Sequence, residues 1–453
     1  SLNWLAILII IEKCAFKKLY KVRSIKFANN SEIKEIKKEA FIASTIESII
    51  IPPNVTKISE SCFSCCNKLK TIEILPNSKL CTIEKNAFHR SRIESILIPQ
   101  SLTELEEGWC NEVSYLNEIK IMSNNPRYSL YENNFIVTKS SSEKVDFDVL
   151  VFCTKNVTNV RIPDFIEIIG SYAFNQCKSL KNIEFTEYSK LRIIEKDAFS
   201  NSGIISFQIP TNLIKIGEFA FNHCYDLQMI EMPNDTRLLI IENGVFSLTE
   251  SLEKLKEKVC LNSSNSNPRF CIYDNKFILE KTSPNKENFD KIVLSVRDIE
   301  TVEIPNFIEI IGNYAFSKCY NLNKIEFPSD SKLRIIENGA FICTKIDMFP
   351  LPSHVKYIGK YVFGYNDQFK LIEIPENSEL QVIEKKAFFW TLIERISIPS
   401  NLVDLKEGWC FDTPYLKSLN IMPNNPLFIT FDDGKFILAK SNKNNVNYDD
   451  LVI

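Results

Sequence analysis

Glycine is scarce in this sequence. There are 11 in 453 residues, and they are scattered singly. A phosphate-cradling loop needs several glycines close together, so none is credible here. Histidine is scarcer still, with three: His89, His223 and His354. They stand at unrelated positions and no pair has metal-ligand spacing, so we read them as solvated loop residues. No Walker, G-x-S-x-G or H-E-x-x-H pattern occurs. These gaps point away from an enzyme, and no cofactor or metal is implied. Charge of one sign is lacking too. The formal net charge is −3, and Lys and Arg form no stripe, so the footprint of a nucleic-acid binder is missing. There is no long apolar run. Trp4 to Ile11 spans only eight residues, too few to cross a bilayer. No basic segment precedes it as in a signal peptide. We assign it to the core, and expect no membrane span within this chain.

What the sequence has is repetition. Leu191-Arg192-Ile193-Ile194-Glu195-Lys196-Asp197-Ala198-Phe199 recurs in altered form along the whole length, as at Ile83–Phe88, Ile336–Phe341 and Ile383–Phe388. Aromatic anchors mark the copies: Phe16, Phe41, Phe63, Phe88 and Trp109; Phe174, Phe199, Phe221 and Phe246; Phe316, Phe341, Phe363, Phe388 and Trp409. Within each group the steps are 25, 22 and 25 residues, with 21 to each Trp. Two coil types alternate, one with Ile-Glu before the anchor and one with Ile-Gly, as in Ile216-Gly217 and Ile358-Gly359. An aliphatic residue stands five before nearly every anchor. After each anchor comes a short run that alternates apolar and outward residues, often closed by proline: Ile49-Ile50-Ile51-Pro52, Ile396-Ser397-Ile398-Pro399. Such runs predict strands with one buried face. A period in this range signals a stacked solenoid in which neighbouring coils bury one shared core.

A longer period overlies the short one. Asn125-Pro126, Asn267-Pro268 and Asn425-Pro426 each open an interruption with two apolar runs, such as Phe135-Ile136-Val137 and Val149-Leu150-Val151. We expect β-hairpins there. The fold class is therefore a mainly β solenoid of α/β-type repeats, with short stacked strands and β-hairpin interruptions. It divides into three modules, 1–152, 153–294 and 295–453, read as one continuous solenoid. The middle module is one coil short. Leu252 to Val259 stands there with helical spacing and predicts a surface helical turn. Both ends fall inside the pattern, so any export signal or anchor is expected outside this sequence.

Fourteen cysteines raise the question of disulfides. Cys66, Cys177, Cys224 and Cys319 each follow an anchor by three residues. Cys177 and Cys224 lie two coils apart, roughly 10 Å along the stack. A disulfide needs Cα atoms within about 7 Å. We read these as small buried thiols.

The pattern Ile-Gly-x-x-Ala-Phe-x-x-Cys-x-x-Leu-x-x-Ile-Glu-Phe, at Ile169 to Phe185 and Ile311 to Phe327, resembles the BspA-like leucine-rich-repeat surface proteins. So does the Asn-Pro-x-Tyr/Phe unit at Asn125 and Asn267. The resemblance implies a non-enzymatic recognition and adhesion protein at the cell surface or secreted, with protein ligands that include host or neighbouring-cell surface proteins. The alternative is a cytoplasmic interaction scaffold. Two features are candidates for a protein-binding face. One is the strand glutamate series Glu73, Glu184, Glu231, Glu326 and Glu373, which alternation turns outward; an acidic row would select basic partners. The other is Trp109 and Trp409, each in Glu-Gly-Trp-Cys. Exposed Trp is a good interface anchor, but both occupy the anchor slot, which favours a core plug. Sequons at Asn29, Asn54, Asn156, Asn234 and Asn262 would carry glycans on export.

Overall fold

The structure is a computed structural model that describes residues 2–3, 8–28, 30–141, 143–258, 267–432, 436–440, 448 and 450–451. The chain forms two compact units, Ser1–Tyr225 with Ile240–Val245, and Asp226–Leu239 with Phe246–Ile453. Among the described residues there are strands and turns and no helix.

Each coil has three sides. In the first unit the main side is a parallel sheet that includes Ser24–Lys26, Ser48–Ile51, Thr71–Ile74, Ser95–Ile98 and Glu118–Ile121. Register is one residue per slot, with Ile49 beside Ile72 and Ile96 beside Ile119. Ile49, Ile51, Ile72 and Ile74 point inward and are buried. A second parallel sheet runs through two-residue strands: Ile10–Ile11, Glu35–Ile36, Lys57–Ile58, Thr82–Ile83 and Glu104–Leu105. Four of these end on the aliphatic residue five before the anchor. Ile36, Ile58 and Ile83 are fully buried. That spacing was visible in the sequence, but the strands it builds were not read from it. Of the Trp4 to Ile11 run, Ile11 is buried while Ile9 and Ile10 are exposed, which corrects the core assignment for those two. Trp4 to Ile7 lie outside the described residues.

The third side is a tight turn around the anchor. Its backbone takes left-handed φ two residues before and two after most anchors, as at Ser61 and Cys65 around Phe63 and at Asp197 and Asn201 around Phe199. Left-handed backbone costs a non-glycine residue on the order of 1–2 kcal/mol. A third ladder of hydrogen bonds holds it: the N–H groups of Ser61, Phe63 and Cys65 donate to the carbonyls of Lys85, Ala87 and His89 in the next coil, at 3.2, 2.8 and 2.7 Å. Gly339 shows where the slot demands glycine. Its φ is +62°, and an added Cβ would lie 2.6 Å from the Tyr314 ring.

The anchors stack inside. Ring centroids are 4.9 Å apart for Phe16–Phe41, 5.1 Å for Phe41–Phe63 and 5.6 Å for Phe63–Phe88, with near-parallel planes. In the second unit Phe316, Phe341, Phe363 and Phe388 repeat the stack. Trp109 and Trp409 end their rows edge-on, at 6.1 and 5.9 Å from the preceding Phe. Three residues after an anchor a small side chain reaches back: the thiols of Cys66 and Cys224 donate to the carbonyls of Phe41 and Phe199, at 3.0 and 3.2 Å. Thirteen cysteines are free, and Cys260 lies outside the described residues.

The interruptions are three-stranded, one strand more than a hairpin. Tyr128–Tyr131 pairs with Phe135–Thr138, which pairs with Val149–Cys153, all antiparallel. Val149–Cys153 then runs parallel to Ile168–Ile169 and so opens a further sheet of two-residue strands. Phe270–Tyr273, Phe277–Glu280 and Lys291–Ser295 do the same before Ile310–Ile311. The third interruption pairs Phe428–Phe431, Phe436–Ala439 and Asp450–Leu451; Val452 and Ile453 lie outside the described residues. Asparagine opens each one for a physical reason. The Asn267 amide donates to Thr236 O and Leu238 O at 2.7 and 2.8 Å, and its Oδ1 accepts from the N–H groups of Arg269 and Phe270 at 2.7 Å. Asn125 and Asn425 likewise donate to two carbonyls, those of Pro99 and Leu102 and of Pro399 and Leu402, and accept from two N–H groups. A buried cation follows each of the first two. Lys155 donates to Asn175 O, and Arg297 to the carbonyls of Phe246, Thr249 and Ala315.

The expected helical turn at Leu252 to Val259 is a strand instead. Lys254–Lys258 pairs in parallel with Met229–Pro233, and Leu252 and Leu255 are buried. An isolated helix this short is marginal in water. The neighbouring strand offers a ready ladder, so pairing wins over propensity. Val259 lies outside the described residues.

Candidate functional site

The strand glutamates sit where alternation places them. Glu73, Glu184, Glu326 and Glu373 are exposed, and Glu231 is half-buried against Lys256 at 3.4 Å. Their register partners along the sheet are Ile50, Arg161, Lys256, Glu303 and Pro350. That face is mixed in sign. Trp109 and Trp409 are 3 % and 1 % exposed and form part of the core. The histidines bond neighbouring side chains, His89 to Asn111, His223 to Tyr225 and His354 to Glu379. Of the sequon asparagines, Asn156 is exposed, Asn54 and Asn234 are half-buried, and Asn29 and Asn262 lie outside the described residues.

A different group stands out on the anchor-turn side of the second unit. Trp390 is 61 % exposed, Phe411 56 % and Tyr365 43 %. Tyr365 and Trp390 occupy the left-handed slot two after their anchors, with φ of 58° and 54°. Their backbones are held by bonds to Phe389 O and Phe411 O in the next coil, at 2.9 and 3.4 Å. The slot aims the side chain outward. The rings meet across coils: Tyr365–Trp390 at 5.5 Å, Tyr365–Phe389 at 5.1 Å and Phe389–Phe411 at 5.9 Å. Lys386 Nζ lies 5.4, 5.2 and 5.9 Å from the centroids of Tyr361, Phe389 and Phe411, within cation–π range. Beside this strip is a groove of about 360 Å³, with Tyr320, Tyr365 and Trp390 among its walls.

The first unit supplies an internal control. Residues 300 earlier occupy the same slots on the same anchors: Ser61, Cys65, His89, Arg90 and Asn111 stand where Tyr361, Tyr365, Phe389, Trp390 and Phe411 do. There, His89 bonds Asn111 and Arg90 bonds Glu112, each at 2.6 Å. The turn folds with polar residues in these slots, so the scaffold does not require the aromatics. The signal was present in the sequence as Phe388-Phe389-Trp390 and emerges when the copies are laid over one another at that offset.

The sequence matches the model of the BspA type leucine rich repeat region (6 copies) over residues 1–117, 34–142, 146–267 and 290–420. The chain belongs to this family. It is a repeat family of interaction proteins, generally without catalytic members. Among solved structures, the pneumococcal vaccine antigen PcpA is 19% identical with a TM-score of 0.49, over 78% of this chain and 72% of that one. A leucine rich cell surface protein from Faecalibacterium prausnitzii is 20% identical with a TM-score of 0.47, over 86% and 83%. A leucine-rich repeat protein from Bacteroides ovatus is 19% identical with a TM-score of 0.43, over 92% and 86%. A comparison with curated proteins finds no match. Among the described residues, no helix is long and apolar enough to cross a membrane.

Proposed function

We propose that this protein is a non-enzymatic recognition protein that binds protein partners through the aromatic strip of its second unit, and that it is displayed at the cell surface. The observation that carries the binding face is the replacement of polar slots by Tyr361, Tyr365, Phe389, Trp390 and Phe411 on an unchanged scaffold. Exposed Trp and Tyr in a cluster are the residues that dominate interface energetics. Membership of the BspA-type family supports display, and exposed Asn156 is a sequon that a secretory route would modify.

The binding reading is tested by panning a random peptide library on the immobilised chain. A comparison protein carries Tyr365→Ser, Phe389→His, Trp390→Arg and Phe411→Asn, three of them the residues of the first module's slots. Enrichment on the unaltered chain alone supports the strip; equal enrichment on both refutes it. Display is tested by antibody labelling of intact cells, and labelling only after permeabilisation refutes it.

A further inference from the structure

We propose that the groove beside the strip takes a proline-rich segment in the polyproline II conformation. This rests on the reading of the strip as a recognition face. The first argument is spacing. Tyr320 rises from the coil anchored by Phe316, and Tyr365 from the coil anchored by Phe363. The coil between them offers the half-buried Cys343, with Thr344 buried beneath, so the groove reads large, small, large along the stack. Two coil steps cover roughly 9.5 Å at the usual strand spacing. One turn of polyproline II is three residues at about 3.1 Å, or about 9.3 Å. Residues three apart on one edge of such a segment therefore meet successive aromatic walls, Tyr320 and then Tyr365 with Trp390.

The second argument is charge. The ions at the groove are already paired: Lys345 with Asp367 at 2.9 Å, and Lys318 with Glu250 at 3.3 Å. A neutral groove favours an uncharged segment over an acidic or basic one. The third is hydrogen bonding. The Tyr365 hydroxyl and the Trp390 indole N–H are donors, while the Tyr320 hydroxyl already donates to Glu250 at 3.2 Å and contributes its ring. A proline-rich segment has lost its backbone N–H groups and offers solvated carbonyls, so donors on the groove are what it can use. Aromatic-lined grooves recognise this conformation because it is ordered before binding.

The test uses the full chain with an acetylated decaproline, followed by isothermal titration calorimetry, and a glycine–serine decapeptide as control. The expected result is saturable binding of decaproline alone, weakened about 30-fold or more by Tyr365→Ser with Trp390→Arg. The two substitutions carry small or polar residues at slots held by Cys65 and Arg90 in the first unit, and an unchanged denaturation midpoint confirms that the fold persists. Decaproline binding no tighter than the control, or unaffected by the two substitutions, overturns the inference. So does strip-dependent binding of a cello-oligosaccharide without binding of decaproline. Panning separates the two levels. Strip-dependent peptides that lack proline leave the recognition reading standing and end this inference. Peptides that ignore the strip end both.

Discussion

Phe199 lies in the middle of a stack, fully buried, with Phe174 at 4.9 Å, Phe221 at 5.1 Å and Phe207 at 5.9 Å. Phe199→Ala removes the ring and leaves a cavity between coils that cannot slide together, because three hydrogen-bond ladders fix their spacing. Truncating a buried Phe costs about 3–5 kcal/mol. Each well-placed ring pair adds about 0.5–1.5 kcal/mol beyond the buried area. We therefore expect the upper part of that range, about 4–5 kcal/mol. Phe16 is only half-buried, and Phe16→Ala should cost about half as much or less. In a stack of repeats the damage is local, passed from neighbour to neighbour. Hydrogen exchange reads this directly. The amides of Phe174 and Phe199 donate to Ala198 O and Ala220 O, at 2.7 and 2.8 Å. They should exchange about a thousandfold faster in Phe199→Ala, the rate equivalent of roughly 4 kcal/mol at 1.4 kcal/mol per decade. A cost below about 1 kcal/mol, or unchanged exchange at these amides, would refute the stacked core.

Further outcomes follow from the same geometry. Gly339→Ala should destabilise the second unit by about 1–3 kcal/mol in denaturant unfolding, and Tyr314→Ser should recover only the part due to the ring the new methyl would strike, leaving the left-handed strain in place. Asn267→Ala leaves two carbonyls and two N–H groups without their partner and should cost about 2–4 kcal/mol. Burial raises the pKa of Asp148 and Asp290, but the bonds from Lys144 and Ser140, and from Lys286 and Thr282, outweigh it and leave both below the ordinary carboxylate value. Their stabilisation is therefore present above the unfolded value near about 3.9 and is lost as pH falls through the folded one; thermal midpoints should drop more steeply below about pH 4 in the unaltered chain than in Asp148→Asn with Asp290→Asn. Burial pushes the Cys66 thiol up to about 11 and the Cys110 and Cys410 thiols up to about 12, whereas Cys81 is exposed. Alkylation of the native protein should label Cys81 and reach the other three only after unfolding, as peptide mass mapping would show.

Much of the fold was legible in the residues themselves. Phe anchors at steps of 22 and 25 can be buried only by coils of that length, so period dictated architecture. Alternation at Ser48–Ile51 or Thr71–Ile74 assigned the inward face, because the side-chain period of a strand is two. The third slot after the anchor called for a small side chain, and the Cys thiols there proved to bond the coil before. The strip was less legible. Trp409 stands on an anchor and Trp390 two after one, but that the second slot after an anchor faces outward is set by the turn and not by the local residues.

Tertiary structure decided the rest, since those features depend on partners distant in sequence. Lys254–Lys258 is a strand because Met229–Pro233 lies beside it, although its own spacing suits a helix. Trp409 is buried and Trp390 exposed because one side chain points down the stack and the other leaves a left-handed turn whose direction the next coil's carbonyls hold. Arg297 is buried because three carbonyls, those of Phe246 and Thr249 about fifty residues before it and that of Ala315 after it, converge on its guanidinium. Periodicity records which residues must be covered; only the assembled ladders determine which are left facing out.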